Sequence, residues 1–190
     1  MDVQKNKSTF QSLVNRYVTR DGVQPLMCML ETSDFYTAPA STRFHGAEEG
    51  GLCLHSINVG KQLFKLADVF APGMYSQETL TIVALFHDLC KIGCYKVEMR
   101  NVKNQETGQW EKQPYYKFEE DFSYGGHGDK SVFLVMQYMK LTPEEAAAIN
   151  AHMGFSGTAN AISISDVYNK NVLAWMLHVA DEAATYLDKT

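Results

Sequence analysis

The sequence predicts an all-α protein that carries one small β-hairpin. Most segments read as helices with capping or turn residues at their ends, whereas residues 95–118 contain alternating stretches separated by a turn. The chain has 190 residues, of which 45% are hydrophobic, so a single domain over residues 1–190 with one core is expected. No repeat, low-complexity tract or linker divides the sequence.

The first part of the chain predicts three helices and one long loop. A helix over about Thr9 to Arg20 ends before an Asp-Gly pair, and a second covers about Val23 to Glu31. A loop from Thr32 to Gly51 then leads to a helix from about Leu52 to Phe70.

The next helix and the hairpin follow from local turn chemistry. Ser76 is the expected N-cap of a helix that runs to Lys91 and stops at Gly93. The stretch "YKVEMRNV" alternates, "NQETGQ" is typical of a turn, and "WEKQPYYKF" follows. These three stretches predict a β-hairpin from about Tyr95 to Phe118.

The last part of the chain predicts three more helices. One covers about His127 to Met139, and the next covers Pro143 to Ala151. Thr142 and Glu145 form the capping box of that second helix, with proline at its first position. The stretch "GFSGTANAISIS" predicts a loop, and a final helix is expected over about Asp166 to Leu187.

Charge and composition remove several functional classes. The net charge is −5 and the pI about 5.7, so the chain has no global basic field for nucleic acid or anionic membranes. No apolar run approaches the roughly 20 residues that cross a bilayer, and the N-terminus lacks a signal-peptide core. A cytosolic protein is expected. None of the four cysteines forms a Cys-x-x-Cys pair, which favours reduced, buried thiols.

Histidine and aspartate recur at helix ends and on apolar helix faces. The pattern is spread over five predicted helices and comprises His55, His87, Asp88, His127, His152 and Asp181. Buried polar side chains need partners, and a metal site supplies a shared one for nitrogen and oxygen donors. A single histidine on an apolar face is more often a hydrogen-bonded core residue, and spacing alone does not prove that these residues converge.

The pair His87-Asp88 stands at the end of the apolar stretch "ALFHDLCKIG". Neighbouring residues on a helix point about 100° apart, so the carboxylate can bridge two metal ions while the histidine binds one. Asp181 lies midway along an apolar helix, where an unpaired carboxylate is costly to bury.

The order and flanks of these residues resemble the HD-domain superfamily of metal-dependent phosphohydrolases, and His127 and His152 resemble its binuclear branch. "HDLCKIG" is similar to the "HDxGK" signature, with Cys90 where glycine is common. "HGAEEGGLCLHSINV" is similar to the segment that precedes and runs through the first histidine helix of HD-type 3′→5′ exoribonucleases. The resemblance covers about residues 44–187 and implies an HD-domain helical bundle, with the helices of residues 1–43 as accessory elements.

The resemblance implies a ligand for each position of a two-metal site. A first ion would be held by His55, His87, Asp88 and Asp181, with Asp88 bridging to a second ion on His127 and His152. Mixed imidazole and carboxylate ligation suits two divalent transition-metal ions such as Mn, Fe, Co or Ni. Such a pair can activate a water and polarise phosphoryl oxygens, so Asp88 is expected to be catalytic.

Basic residues near this pattern are candidates for substrate contact. Lys91 and Lys130 are predicted to be catalytic and to bind a substrate phosphate, each being three residues after a predicted ligand. Arg43 and His45 are further candidates for substrate binding. Each also has a simpler interpretation as a solvated surface side chain or, for Lys91, as a cation at a helix C-terminus. His178 is expected to be structural or to support a ligand.

The resulting functional hypothesis is an enzyme: a phosphohydrolase or phosphodiesterase that uses a metal-activated water on a phosphate ester. The expected partner is a small, nucleotide-like phosphate ester, with short oligonucleotides as an alternative and no membrane. A di-iron HD-domain oxygenase has the same ligand order and remains an alternative. A non-catalytic HD scaffold is disfavoured because all six ligand positions are kept.

Overall fold

The computed structural model describes residues 1–43, 46–120, 124–156 and 161–188. It confirms a mostly helical fold with one antiparallel hairpin. The helices are α1 (Val3–Tyr17), α2 (Val23–Thr32), α3 (Gly51–Phe70), α4 (Gln77–Phe86), α5 (His127–Met136), α6 (Pro143–Ala151), α7 (Ala161–Lys170) and α8 (Val172–Tyr186). Short 3₁₀ turns lie at Leu89–Lys91 and Gly154–Ser156. No helix in the described ranges is both long and apolar enough to cross a membrane.

Helix α3 is the centre of the core. It packs against α8 on one side and α4 on the other, while α6 packs on α8 and α5 on α6. The N-terminal helix belongs to the same core, because the ring of Phe10 lies edge-on to that of Phe86 with the centroids 6.0 Å apart. Both rings are fully buried. This packing brings the ends of α4 and α6 to the faces of α3 and α8.

Side-chain capping accounts for four of the described helix starts, those of α1, α4, α6 and α8. Ser76 accepts a hydrogen bond from the Thr79 amide, as predicted. The capping box of Thr142 and Glu145 is present at α6, also as predicted. The buried Glu145 carboxylate also accepts a hydrogen bond from Arg20 Nη2 at 2.9 Å, which links the segment after α1 to α6.

Several helix limits differ from the prediction. α1 begins at Val3 because Asp2 accepts from the Lys5 amide, and α5 ends at Met136 rather than Met139. The helix predicted to reach Lys91 ends at Phe86, where the His87 ring lies 2.8 Å from the Ala84 carbonyl oxygen. A 3₁₀ turn continues the chain.

The C-terminal region contains two helices where one was predicted. α7 begins at Ala161, inside the stretch predicted as a loop, and α8 begins at Val172. The break lies at Asn171, whose side chain accepts a hydrogen bond from the Ala174 amide. An asparagine in this extended position starts a new helix rather than continuing the old one.

The predicted hairpin is confirmed as β1 (Tyr95–Lys103) and β2 (Trp110–Phe118). Tyr95 pairs with Phe118 at the base, and Lys103 pairs with Trp110 at the tip. The Tyr95 hydroxyl donates to the Ala40 carbonyl at 3.1 Å, which attaches the base of the hairpin to the loop before α3. The outer part of the hairpin extends into solvent, since Val97, Met99 and Trp110 are all exposed.

Candidate metal centre

Five of the six predicted ligands converge inside the helical body. His55 lies near the start of α3, His87 and Asp88 follow α4, His152 follows α6, and Asp181 lies on α8. His55, His87, Asp88 and His152 are buried, and the Asp181 side chain is 17% exposed. We refer to these five residues as the buried cluster.

The two histidines at helix C-termini are held by the same local contact. His87 Nδ1 lies 2.8 Å from the Ala84 carbonyl oxygen, and His152 Nδ1 lies 2.7 Å from the Ile149 carbonyl oxygen. A carbonyl only accepts, so each Nδ1 carries a proton, and in the neutral ring the lone pair is then on Nε2. Helix C-termini leave their last carbonyls free for this purpose. The fold therefore presents two imidazole lone pairs in fixed directions.

These lone pairs face the Asp88 carboxylate. His87 Nε2 lies 3.4 Å from Asp88 Oδ2, and His152 Nε2 lies 3.5 Å from Asp88 Oδ1. The two carboxylate oxygens therefore face different histidines. This arrangement places Asp88 between two groups of donors.

On the other side of Asp88, His55 connects the cluster to α8. His55 Nε2 lies 2.9 Å from Asp181 Oδ1 and 3.6 Å from Asp88 Oδ2. His87 Nε2 is 4.0 Å from the same Asp181 oxygen. Two overlapping sets of three residues each bring one donor atom per residue to within 4.8 Å of the others. One set is His55, His87 and Asp181, and the other is His87, Asp88 and His152.

The donor set fits a transition-metal ion. His87 is fully buried, and its Nε2 makes no hydrogen bond within the described residues. A buried polar atom without a partner is costly, and an ion at this point would satisfy it. Imidazole nitrogen combined with carboxylate oxygen suits borderline divalent ions.

Charge in the cluster favours ionised carboxylates. Burial alone would raise the pKa of Asp88, but the Lys91 ammonium group beside it outweighs burial and holds that pKa well below its usual value. For Asp181, burial is likewise outweighed, chiefly by His55, so its pKa is also lowered. Both side chains therefore stay in the form that binds cations.

Lys91 is part of this charge balance. Its Nζ lies 2.7 Å from Asp88 Oδ2, and its side chain is only 13% exposed. Burial would lower the pKa of Lys91, but Asp88 outweighs it and raises the pKa above its ordinary value. Lys91 is thus a half-buried, ion-paired cation rather than a solvated lysine at a helix end.

His127 lies apart from the buried cluster. It is exposed at the N-terminus of α5, with its ring stacked near Phe118 at a centroid distance of 6.0 Å. Its Nδ1 lies 3.4 Å from the Cys90 sulfur, and that sulfur lies 3.8 Å from Asp88 Oδ1. His127 therefore borders the cluster through Cys90 without joining either set of three donors.

The other candidate residues lie elsewhere. Lys130 is buried, with Nζ 2.8 Å from Glu120 Oε1 and 3.1 Å from the Cys94 sulfur, so it pairs away from Asp88. Arg43 is exposed and lines a surface groove beside the hairpin. His45 lies outside the described residues.

Sequence reasoning missed two contacts of the site. Cys90 contacts His127, a pairing signalled only by cysteine standing where the similar motif has glycine. Tyr95 lies close enough to Lys91 and Asp88 for their charges to affect its pKa, although burial is the larger influence and raises that pKa to about 12. The supporting role expected for His178 fits its geometry, since its Nδ1 lies 2.8 Å from the His152 carbonyl.

Comparison with protein-family profiles, with curated proteins and with solved structures yields no match to this chain.

Proposed function

We propose that this chain is a metal-dependent phosphohydrolase that acts on phosphate esters of nucleotide type. The buried cluster carries the proposal, above all the Nε2 of His87, which is buried without a hydrogen bond among the described residues. The resemblance of the sequence to the HD-domain superfamily agrees with the same residues. The ion would be held by residues drawn from His55, His87, Asp88, His152 and Asp181.

A bound divalent ion supplies Lewis-acid polarisation of the phosphoryl group and lowers the pKa of water. The chain contributes the rest. His87 and His152 keep their lone pairs on Nε2 because backbone carbonyls hold Nδ1–H. Asp88 and Asp181 remain ionised at neutral pH and balance the charge of a cation.

Lys91 is proposed to assist substrate binding. Its ammonium group lies 2.7 Å from Asp88 Oδ2 and within electrostatic range of Tyr95 at the base of the hairpin. A compact positive charge at this edge of the cluster attracts a substrate phosphate and offsets charge that builds on its oxygens. The binding of a second ion by His127 and His152 stays a prediction, because His127 lies beside Cys90.

The test combines metal content with turnover. Protein purified without chelator is analysed for metals, and hydrolysis of bis-p-nitrophenyl phosphate and p-nitrophenyl phosphate is measured with added Mn²⁺, Fe²⁺, Co²⁺ or Ni²⁺. We expect bound metal and faster diester hydrolysis, both lost in Asp88→Asn. Asp166→Asn is the matched control, because Asp166 is an exposed carboxylate paired only with Lys170 in the described structure.

Two outcomes would contradict the proposal. Folded protein that binds none of these ions would mean that the cluster is not a metal site. Bound iron without hydrolysis of either ester, but with oxygen uptake, would replace the hydrolase with the oxygenase alternative.

A further inference from the structure

The hairpin has open strand edges. Within the described residues its sheet contains only β1 and β2, so each strand has one side without a neighbouring strand. β1 is nine residues long, and its apolar side chains Val97 and Met99 are 64% and 56% exposed. An exposed edge of this length, with apolar side chains on it, is a template for pairing with another strand.

The two edges of the hairpin differ in what they can pair with. β2 carries Pro114 in its middle, and Pro114 pairs with Met99 of β1. Proline has no N–H, and within a sheet its nitrogen faces the outer side of an edge strand. The outer edge of β2 therefore lacks a donor at its centre, whereas β1 contains no proline. The edge of β1 is the one that can accept a further strand.

The same pairing fixes the direction of the Met99 backbone. Because Pro114 cannot donate to Met99, the two residues form a non-hydrogen-bonded pair, in which the N–H and C=O groups point away from the partner. The N–H and C=O of Met99 therefore point to the open edge of β1. An identical strand in antiparallel orientation can exchange both hydrogen bonds with this residue about a twofold axis.

The charges beside Met99 make this edge self-complementary. An antiparallel pairing centred on Met99 places each Glu98 directly opposite the partner's Arg100. Arg100 is exposed and forms no ion pair with a carboxylate in the part of the chain that the structure describes; its guanidinium carbon lies 5.3 Å from the centre of the Tyr115 ring. Glu98 pairs with Lys117 at 2.9 Å, yet its side chain is still 43% exposed. The twofold axis creates two Glu98–Arg100 pairs in each dimer.

Other registers are less favourable. Centring on either neighbour, Glu98 or Arg100, would set that residue opposite its own copy, and like charges directly opposite each other are destabilising. Centring on Val97 would pair only residues 95–99 of each strand, whereas centring on Met99 pairs all nine residues of β1. Length and charge therefore favour the same register.

We propose that two copies of this chain pair through β1 in an antiparallel register centred on Met99, so that the two hairpins form one four-stranded sheet with the order β2-β1-β1-β2. Met99 then lies opposite the partner's Met99, on the same face as Val97. A two-stranded hairpin that extends into solvent is marginally stable by itself, and two further strands stabilise it. This inference needs no metal and does not depend on the proposed function.

Charge reversal tests the pairing. The full chain, Glu98→Lys, Arg100→Glu and an equal mixture of the two variants are compared by sedimentation velocity over a series of concentrations. We expect wild type to form a dimer of twice the 21.4 kDa chain mass. Each variant alone sets like charges opposite each other and should raise the dissociation constant of the dimer about tenfold. The mixture should restore dimers, because both charge pairs form again between unlike copies.

Lys112→Glu is the matched control, because Lys112 is exposed on β2 and lies outside the edge of β1. It should change the dissociation constant less than twofold. Wild type that stays monomeric at every concentration overturns the proposal and leaves the edge to a strand of another protein. Single variants that dimerise like wild type also overturn it, since the copies then pair through another surface. Variants that are folded by circular dichroism but stay monomeric when mixed overturn the register.

A covalent trap gives a second measurement of the same register. The Cα atoms of a hydrogen-bonded antiparallel pair lie about 5.5 Å apart, a separation that a disulfide spans. Met99→Cys incubated with oxidised glutathione should therefore form a disulfide-linked dimer. Met74→Cys is the control, because Met74 is exposed between α3 and α4, and it should give no more linked dimer than wild type with its exposed Cys28. Equal linkage in the two variants would overturn the twofold axis at Met99.

Discussion

His87 and His152 differ from His127 in the kind of helix end on which they lie. The first two follow α4 and α6 at their C-termini, where free carbonyls take the Nδ1 proton. His127 opens α5, and a helix N-terminus offers amide donors instead of carbonyl acceptors. Its Nδ1 therefore lies beside the sulfur of Cys90. A histidine at a helix C-terminus is thus held in place by a backbone carbonyl, whereas His127 at a helix N-terminus is exposed.

The largest effect is expected at Asp88, which both His87 and His152 face. Asp88→Asn keeps the size of the side chain and removes the charge shared by the two donor sets. We expect metal affinity and diester hydrolysis to fall by more than the roughly 10- to 100-fold that loss of an outer supporting partner costs. Metal titration followed by fluorescence or calorimetry, with circular dichroism to verify folding, measures this loss. Activity within tenfold of wild type would remove Asp88 from the site.

Separate substitution of His87 and His127 tests whether the two kinds of helix end differ in metal binding. His87→Gln removes a donor from both sets of three, whereas His127→Gln leaves both sets intact. We expect His87→Gln to weaken binding of the tightest metal ion by more than tenfold. His127→Gln should retain one ion per chain, and its metal content relative to wild type reports whether a second ion uses His127. A greater loss of the tightest ion in His127→Gln than in His87→Gln would reverse the assignment.

Substitution of Lys91 tests how much its ion pair with Asp88 contributes to stability. In metal-free Lys91→Met, Asp88 loses its cation at 2.7 Å while remaining buried, and we expect about 3 kcal/mol lower stability at pH 7. The lowered pKa of Asp88 stabilises the wild type above the unfolded-state value of about 3.9, and this contribution is lost as pH falls through the folded-state pKa. The difference between variant and wild type should therefore shrink from pH 7 toward pH 3.

Urea denaturation at a series of pH values measures this difference. An exposed ion pair provides the control, since Lys170→Met removes the partner of Asp166 and should cost well under about 1 kcal/mol. A pH-independent difference for Lys91→Met would mean that the lysine stabilises the fold through packing alone.

Cys90 gives the smallest expected effect. Cys90→Ala removes the contact of His127 Nδ1 but no member of the buried cluster. We expect unchanged affinity for the tightest metal ion and a stability change of about 1 kcal/mol. Nuclear magnetic resonance of the His127 ring nitrogens should register the loss of the thiol contact. Weaker binding of the tightest ion in this variant would make Cys90 itself part of the metal site.

Local signals in the sequence predicted much of the fold. Ser76 and the Thr142–Glu145 capping box act between residues three apart, so both helix starts were predictable. The alternation on either side of "NQETGQ" predicted the hairpin for the same reason. The boundary between α7 and α8 was not predicted, because the asparagine at position 171 is a weaker sequence signal for a helix break than glycine or proline.

The sequence predicted which residues form the site better than it predicted which side chains contact each other. His55, His87, Asp88, His152 and Asp181 were singled out because buried polar groups on apolar helices need a common partner. The pairing of Lys130 with Glu120 and of Cys90 with His127 depends on how separate elements pack. The phosphate role predicted for Lys130 therefore gains no support from its surroundings, and the groove that contains Arg43 and Arg100 became visible only in three dimensions.

The most direct test of the proposed metal site is the metal content of wild-type protein and of Asp88→Asn, measured together with hydrolysis of bis-p-nitrophenyl phosphate by the same samples. We expect wild type to bind at least one divalent transition-metal ion per chain and to hydrolyse the diester, and we expect the variant, still folded, to lose both. Wild-type protein that stays metal-free after incubation with Mn²⁺, Fe²⁺, Co²⁺ and Ni²⁺, or hydrolysis that survives in the variant, would contradict it.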